Sequence, residues 1–260
     1  MLDKLEIFDM NVMVGRYTVF NNNSFYKITD LIKHMDYYGI HKALVYHATA
    51  KEYDPEYGNM YLNKEINESS DIIKNRLVKC YVIYPRFSKA IPSPEDVLLR
   101  IKNQNFRSIR IFPNFHFFSL KRRNFSDYFS VFEKNKIPVL VDYGNTFPFN
   151  DNINWEDVYN ICYDYPKIPF VLIRPGFRTS KELYLLLKNT ENLYIEFSGY
   201  WNYRAIESIC EEFGADRLIF GSNLPHDNPG CSLGLLKFAN IDITKIKKIA
   251  FGNLNALLGL

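Results

Sequence analysis

At 260 residues, 47% hydrophobic and 23% charged, the chain is long enough to bury one large core and too apolar for a disordered or fibrous protein. The 32 Lys and Arg against 29 Asp and Glu leave a net charge of +3, too small an excess to argue for nucleic acid as a partner. No apolar run approaches the roughly 18 residues of a membrane span, and Met1 leads almost at once into an acidic, strand-like segment, so a cytoplasmic protein is expected.

In chain order, β-branched and aromatic runs predict strands at Leu5–Phe8, Ala43–His47, Leu77–Tyr84, Ser108–Phe112, Ile137–Val141, Ile168–Ile173, Leu193–Phe197 and Leu218–Phe220. Most are continuously apolar, as strands buried on both faces are, and they recur at roughly thirty residues, the length of one βαβ unit. Helix signals fall between them. Ser24 or Thr29 opens a helix that Gly39 stops, Ser93-Pro94-Glu95 opens a second, Ser180 precedes "KELYLLLKN", and "IESICEEFG" ends at Gly214. A last helix, "ITKIKKIAFGNLNALLG", closes the series. Eight alternating βα units predict an α/β fold, a TIM (β/α)8 barrel in a single domain spanning residues 1–260. The longest irregular piece, Phe112 to Asn124, follows the fourth strand on the face where barrel active sites lie. Cys80, Cys162, Cys210 and Cys231 are scattered, with no C-x-x-C pair, and read as buried thiols.

The strand ends carry the motifs "IFDMNVMVG", "IPVLVDYGN", "IPFVLIRPGF" and "DRLIFGSNLP", and the chain closes on "IAFGNLNALLGL". Over essentially the whole chain these resemble the amidohydrolase-related metal-dependent hydrolases, a family whose branches include decarboxylases of small aromatic and unsaturated acids. "DRLIFGSNLP" is similar to the strand-eight signature D-R-[IL]-L-F-G-S-D-x-P, and the closing motif to a terminal G-N-A-x-x-L-x-G-L helix. The resemblance implies strand ends that hold a divalent ion and activate a bound water. Yet D-x-H-x-H of strand one reads Asp9-Met10-Asn11-Val12-Met13, the strand-five histidine is Asp142, the strand-six histidine is Arg174, and the strand-eight aspartate is Asn223. A guanidinium has no free lone pair, and amides and a thioether compete poorly for zinc against water. Neither metal nor other cofactor is therefore expected, and Asn11 and Met13 are expected to line a metal-free pocket.

Strand alternation turns Asp142 and Arg174 toward the barrel axis on neighbouring strands, where they are expected to meet. Arg174 would pair with Asp142 or Asp9, or clamp a ligand carboxylate, with Arg110 as a second anion-binding group. Asn11 and Asn223 either bond neighbouring backbone or touch ligand, and Met13 packs. His47 at the end of strand two, His226 in the strand-eight loop and His116 in the long loop face the mouth; His34 and His41 are set aside. Glu196 shares parity with Ser198 and needs a partner, for which Arg110 is a candidate. Tyr46, Tyr143, Tyr200 and Trp201 could wall the pocket.

Two functional readings follow. One is a metal-independent hydrolase or lyase acting on a small carboxylate-bearing substrate, with Asp9, Asp142 or His47 as base and Arg174, Arg110, Asn11, Asn223, Tyr143, Ser198 and His226 around the substrate. The family contains a metal-free lactonase branch that holds pyrone dicarboxylates with arginines, but that branch keeps the strand-eight aspartate as base where this chain has Asn223. The other is a non-catalytic barrel that binds a small acid or acts as a scaffold. Whether Asp142 is free or locked by an arginine discriminates them, since an ion-paired carboxylate is a poor base. A third reading, Mg²⁺ or Mn²⁺ on Asp9, Asp142 and His47, has Arg174 against it. Assembly into homo-oligomers stays open.

Overall fold

Runs of Val, Ile, Leu and Phe too short for helices give strands that must be covered on both faces, and the segments between them supply the covering helices. The computed structural model describes residues 5–19, 24–143, 153–176 and 178–260; the Gly144-Asn145 end of the strand-five motif and Phe177 lie outside them. Among the described residues eight parallel strands stand in sequence order: β1 Phe8–Val14, β2 Lys42–His47, β3 Leu77–Val82, β4 Phe106–Ile111, β5 Val139–Asp142, β6 Phe170–Ile173, β7 Leu193–Glu196 and β8 Leu218–Ile219. The Met10 N–H donates to the Phe220 carbonyl at 3.0 Å and the Met13 N–H to that of Leu224 at 2.9 Å, which brings the two ends of the sheet together as a TIM barrel.

The first strand corrects the expectation. It begins at Phe8, where the expected strand ended, and all of its residues are buried. Asp9 and Asn11 broke the apolar run on which the sequence reading relied. A register shift between Asp9 and Val12 accommodates them.

The helices are α1 Ile28–Tyr38, α2 Ala48–Glu52, α3 Pro55–Glu68, α4 Asp71–Lys74, α5 Pro94–Asn103, α6 Arg122–Asn135, α7 Trp155–Asp164, α8 Ser180–Asn189, α9 Ala205–Glu212, α10 Pro229–Lys237, α11 Ile243–Lys247 and α12 Asn253–Leu257. Gly39 ends α1 in the left-handed conformation at φ 70°, and Gly214 lies just past α9 at φ 78°. Neither Ser24 nor Thr29 caps α1; Lys27 holds that place without a side-chain bond. Ser93 and Asp96 form a reciprocal capping box on α5. Thr179 stands at the cap of α8, and the Ser180 hydroxyl accepts instead from Tyr200 and Asn202, each at 2.8 Å. The connection after β4 is irregular only as far as Lys121, and the closing helix is interrupted by a π turn at Lys248–Gly252 between α11 and α12.

Burial divides into two layers. Leu31, Ile109, Phe129, Val141, Leu172 and Ile195 belong to the layer between strands and helices, whereas Phe8, Leu44, Leu140, Val171 and Ile219 fill the barrel itself. Leu254 and Leu258 join that inner set from below and plug the floor. Cys80, Cys162 and Cys210 are buried as expected, but Cys231, near the start of α10, is exposed. Among the described residues no helix is long and apolar enough to cross a membrane.

Candidate active site at the barrel mouth

A parallel barrel delivers its strand ends to one face, so the last inward residue of each strand decides what the site can do. On β4 that residue is Arg110, 1% exposed, with its guanidinium 4.4 Å from the Tyr46 ring centroid and 4.8 Å from that of Phe112. It donates to Asn11 Oδ1 at 2.8 Å and to Asp142 Oδ2 at 2.9 Å. Among the described residues Arg110, and not Arg174, therefore forms the ion pair with Asp142.

Asn11 is the hub behind that pair. Its amide nitrogen donates to Glu196 Oε2 at 3.3 Å and to Asn223 Oδ1 at 3.5 Å, so the side chain bonds other side chains rather than neighbouring backbone. Glu196 is fully buried and also accepts from the Arg174 N–H at 3.2 Å, the Ser198 N–H at 2.6 Å and the Ser198 hydroxyl at 3.0 Å. Burial raises its pKa, and Ser198 and Arg174 oppose that rise. A Cβ at position 221 would land on the Glu196 carboxylate, which is why glycine stands there in the strand-eight motif. Asp9 is sealed deeper still: one oxygen accepts from the Asn11 and Ser222 N–H groups, each at 3.0 Å, and the other has no partner among the described residues. Burial pushes Asp9 up to about 7 against those hydrogen bonds.

The outer rim is cationic. Arg174 leaves β6 with φ at 56° and pairs with Asp227, which also accepts from Asn223 Nδ2 at 3.1 Å; Asn223 itself has φ at 59°. Left-handed backbone where the chain leaves β6 and again just past β8 costs on the order of 1 to 3 kcal/mol per residue and collects at functional sites, although asparagine tolerates it better than arginine does. Lys51, in the single turn of α2, holds its ammonium 5.0 Å from the Phe115 centroid and 5.4 Å from that of Phe112. It makes no side-chain hydrogen bond or ion pair among the described residues. Burial lowers its pKa, with Asp142 opposing and Arg110 and Arg174 adding to the fall. His226 packs edge-on against Tyr17 at 5.0 Å, and burial together with Lys51 and Arg174 depresses it to about 4.

Several expected residues do not join this group, and strand parity explains most of them. Tyr46 turns inward, so His47 turns outward: its Nδ1 accepts from the Thr49 N–H at 3.1 Å as the cap of α2, and its Nε2 lies 3.8 Å from Glu65. Asp142 turns inward, so Tyr143 turns outward and packs 4.9 Å from the Trp155 ring. Tyr200 belongs to the outer layer, and Trp201 is half exposed. Ser198 serves Glu196 rather than a substrate, and Met13 is packed in the barrel. His116 is tied to the Lys51 carbonyl at 2.8 Å, and His41 accepts from the Ile7 N–H at 3.1 Å. The sequence reading missed Lys51 and Asp227. Lys51 lies four residues past the end of β2 and Asp227 eight past the end of β8, and only their place in strand-end connections could have flagged them.

The profile of the amidohydrolase family matches residues 79–258. The chain belongs to that family. No curated protein matches it. Among solved structures, this amidohydrolase barrel is similar to 2,6-dihydroxybenzoate decarboxylase complexed with 2,6-dihydroxybenzoate, at 13% identity and TM-score 0.79, over 98% of this chain and 99% of that one. It is also similar to the 5-carboxyvanillate decarboxylase of Novosphingobium aromaticivorans, at 12% identity and TM-score 0.79, over 99% and 97%. A dihydroxybenzoic acid decarboxylase from a Polaromonas species, with bound manganese and the inhibitor 2-nitroresorcinol, matches at 14% identity and TM-score 0.76, over 98% and 97%. At such identities the likeness is one of fold.

Proposed function

We propose that the mouth of this amidohydrolase barrel recognises a small carboxylate carried on a flat apolar body, and does so without a divalent metal. The observation that carries the reading is Lys51: a half-buried cation between two aromatic rings, facing the Arg110–Asp142 pair, with no carboxylate of its own among the described residues. A ligand carboxylate would supply the missing counter-charge, and the Phe112 and Phe115 faces would cover the apolar body. Burial disfavours the charged amine, and a bound anion would oppose that penalty.

A metal does not fit the residues present. The Arg110 guanidinium occupies the space between Asn11 and Asp142, and Arg174 stands beside Asp227, so an added cation would meet two fixed positive groups. Among the described residues no three His, Cys, Asp or Glu side chains gather where they could hold an ion. Arg110 instead provides the fixed positive charge at the barrel axis.

Engagement of the carboxylates favours recognition over base catalysis. Asp142 is paired with Arg110, Asp9 and Glu196 lie behind it, and His47 faces α3. A lyase reading rests on a separate observation: Lys51 lies at the mouth with its pKa lowered by burial, which makes its ammonium a stronger acid. Decarboxylation breaks the bond from carbon to carboxylate, releases CO2 and leaves an electron pair that must take a proton, which the Lys51 ammonium could deliver; His226, depressed to about 4, is a neutral ring and is not the donor. The family's decarboxylases with dihydroxybenzoate and carboxyvanillate substrates make benzoates the natural first probes.

The test is calorimetric titration of benzoate and 2,6-dihydroxybenzoate into the protein and into Lys51→Met, with and without chelator. Chelator-insensitive binding that weakens about tenfold or more in the variant is expected. Equal binding by both proteins would remove Lys51 from the site, and binding abolished by chelator would overturn the metal-free reading. CO2 release from the bound acid would establish the lyase.

A further inference from the structure

The other end of the barrel carries a second feature that the mouth chemistry does not use. Between the N-terminal ends of β4 to β8 and the closing helix α12 lies an open depression of about 810 Å³. That is within the size range of small-molecule sites, roughly 300–1,000 Å³. Its floor is apolar, from Phe106, Pro169 and Leu257, with Tyr194 at one side. Its charged lining is uneven: Lys102, Arg107 and Lys136 against Asp216 alone, and Asp216 is already held by Lys248 at 2.5 Å.

Arg107 is the residue that needs explaining. It is half-buried at the start of β4, its Nε–H is shielded from solvent, and that nitrogen has no acceptor among the described residues. No ion pair is formed by its guanidinium among those residues either. A shielded donor without an acceptor is costly, and a turn of the Arg107 guanidinium toward an oxyanion in the depression would relieve that cost by giving Nε–H and a terminal nitrogen acceptors in a two-pronged bond. Lys102, whose ammonium now donates to Asn135 Oδ1 at 3.1 Å, and the exposed Lys136 stand beside it.

We propose that this depression binds a dianionic organic ligand, a phosphate monoester on an apolar body, with Arg107 gripping the phosphate, Lys102 and Lys136 completing its charge balance, and the Phe106–Leu257 floor taking the apolar part. The site is separate from the mouth, and active sites of barrels do not lie on this face, so its role is ligand binding rather than catalysis. An occupant would bridge β4 and α12 and brace the helix that plugs the floor.

Phenyl phosphate, phenol and inorganic phosphate, titrated separately into the full chain and followed by calorimetry and thermal unfolding, test the proposal. Phenyl phosphate should bind saturably and raise the melting temperature. Phenol should not bind, and inorganic phosphate should bind about tenfold or more weakly. Arg107→Met should abolish the phenyl phosphate signal. The surface variant Lys102→Gln/Lys136→Gln, which removes no packed group, should weaken it about tenfold, whereas Lys51→Met should leave it intact. Binding lost in Lys51→Met but kept in the floor variants would place the ligand at the mouth and overturn the proposal. So would no binding, or equal affinity for inorganic phosphate.

Discussion

Arg110 and Asp9 show how little a residue's type says before its neighbours are known. Arg110 is held by Asn11, Asp142 and two aromatic rings, so deleting it takes the guanidinium from a partly buried carboxylate and strands a buried amide oxygen. Arg110→Met should therefore lose about 3 to 5 kcal/mol of stability by urea unfolding, and adding Asp142→Leu should recover part of that loss. A further loss in the double variant would mean that Asp142 has other essential partners. Asp9 makes a pH prediction. Its folded pKa, about 7, lies above the ordinary 3.8, so the stability it contributes is full below about pH 4 and disappears as pH rises through 7. Asp9→Asn keeps an acceptor for the Asn11 and Ser222 N–H groups and removes the titration. Its stability advantage over the parent should grow by on the order of 2 to 3 kcal/mol between pH 5 and pH 8. An advantage independent of pH would remove Asp9 as the titrating group.

At the scale of elements, the signals that worked were local and chemical. The Ser93-Pro94-Glu95-Asp96 stretch specifies the start of α5 by itself, because both halves of the capping box lie within one turn. Ser93→Ala should accordingly cost about 1 kcal/mol in chemical denaturation, with no change in ligand binding; a neutral substitution would show that packing alone sets the helix start. Ser180 failed as a cap because Tyr200 and Asn202, some twenty residues away, claim its hydroxyl. First-strand bounds were missed because Asp9 and Asn11 look like loop residues until Arg110, Glu196 and Ser222 are seen to receive them. For His47 and Tyr143 the existence of the neighbouring strand was legible and the facing was not, since one residue of parity separates the mouth from the helix layer.

For the molecule as a whole, the barrel has one inner core stopped at the bottom by Leu254 and Leu258 and crowned at the top by charged groups. Because the floor plug comes from the last helix and packs on the inner faces of the strands, it should unfold with them. Leu254→Ala should lose about 2 to 5 kcal/mol in a single transition. A separate early transition for α12 would show that the barrel stands without its plug.

The amino-acid sequence by itself determined the class of the molecule. Eight apolar runs at regular spacing, with caps and stops between them, leave few ways to cover strands on both faces, and the strand-end motifs identify the amidohydrolase family without any coordinates. Those features are local, so they survive in one dimension. The tertiary structure alone decided the pairings: Arg110 with Asp142, Arg174 with Asp227, Asn11 with Glu196, and Lys51 without a carboxylate among the described residues. The pairs join groups 32 to 185 residues apart, Arg110 to Asp142 at 2.9 Å and Asn11 to Glu196 at 3.3 Å. Their choice depends on strand register and on which way a side chain faces, and neither is encoded within reach of the residue itself.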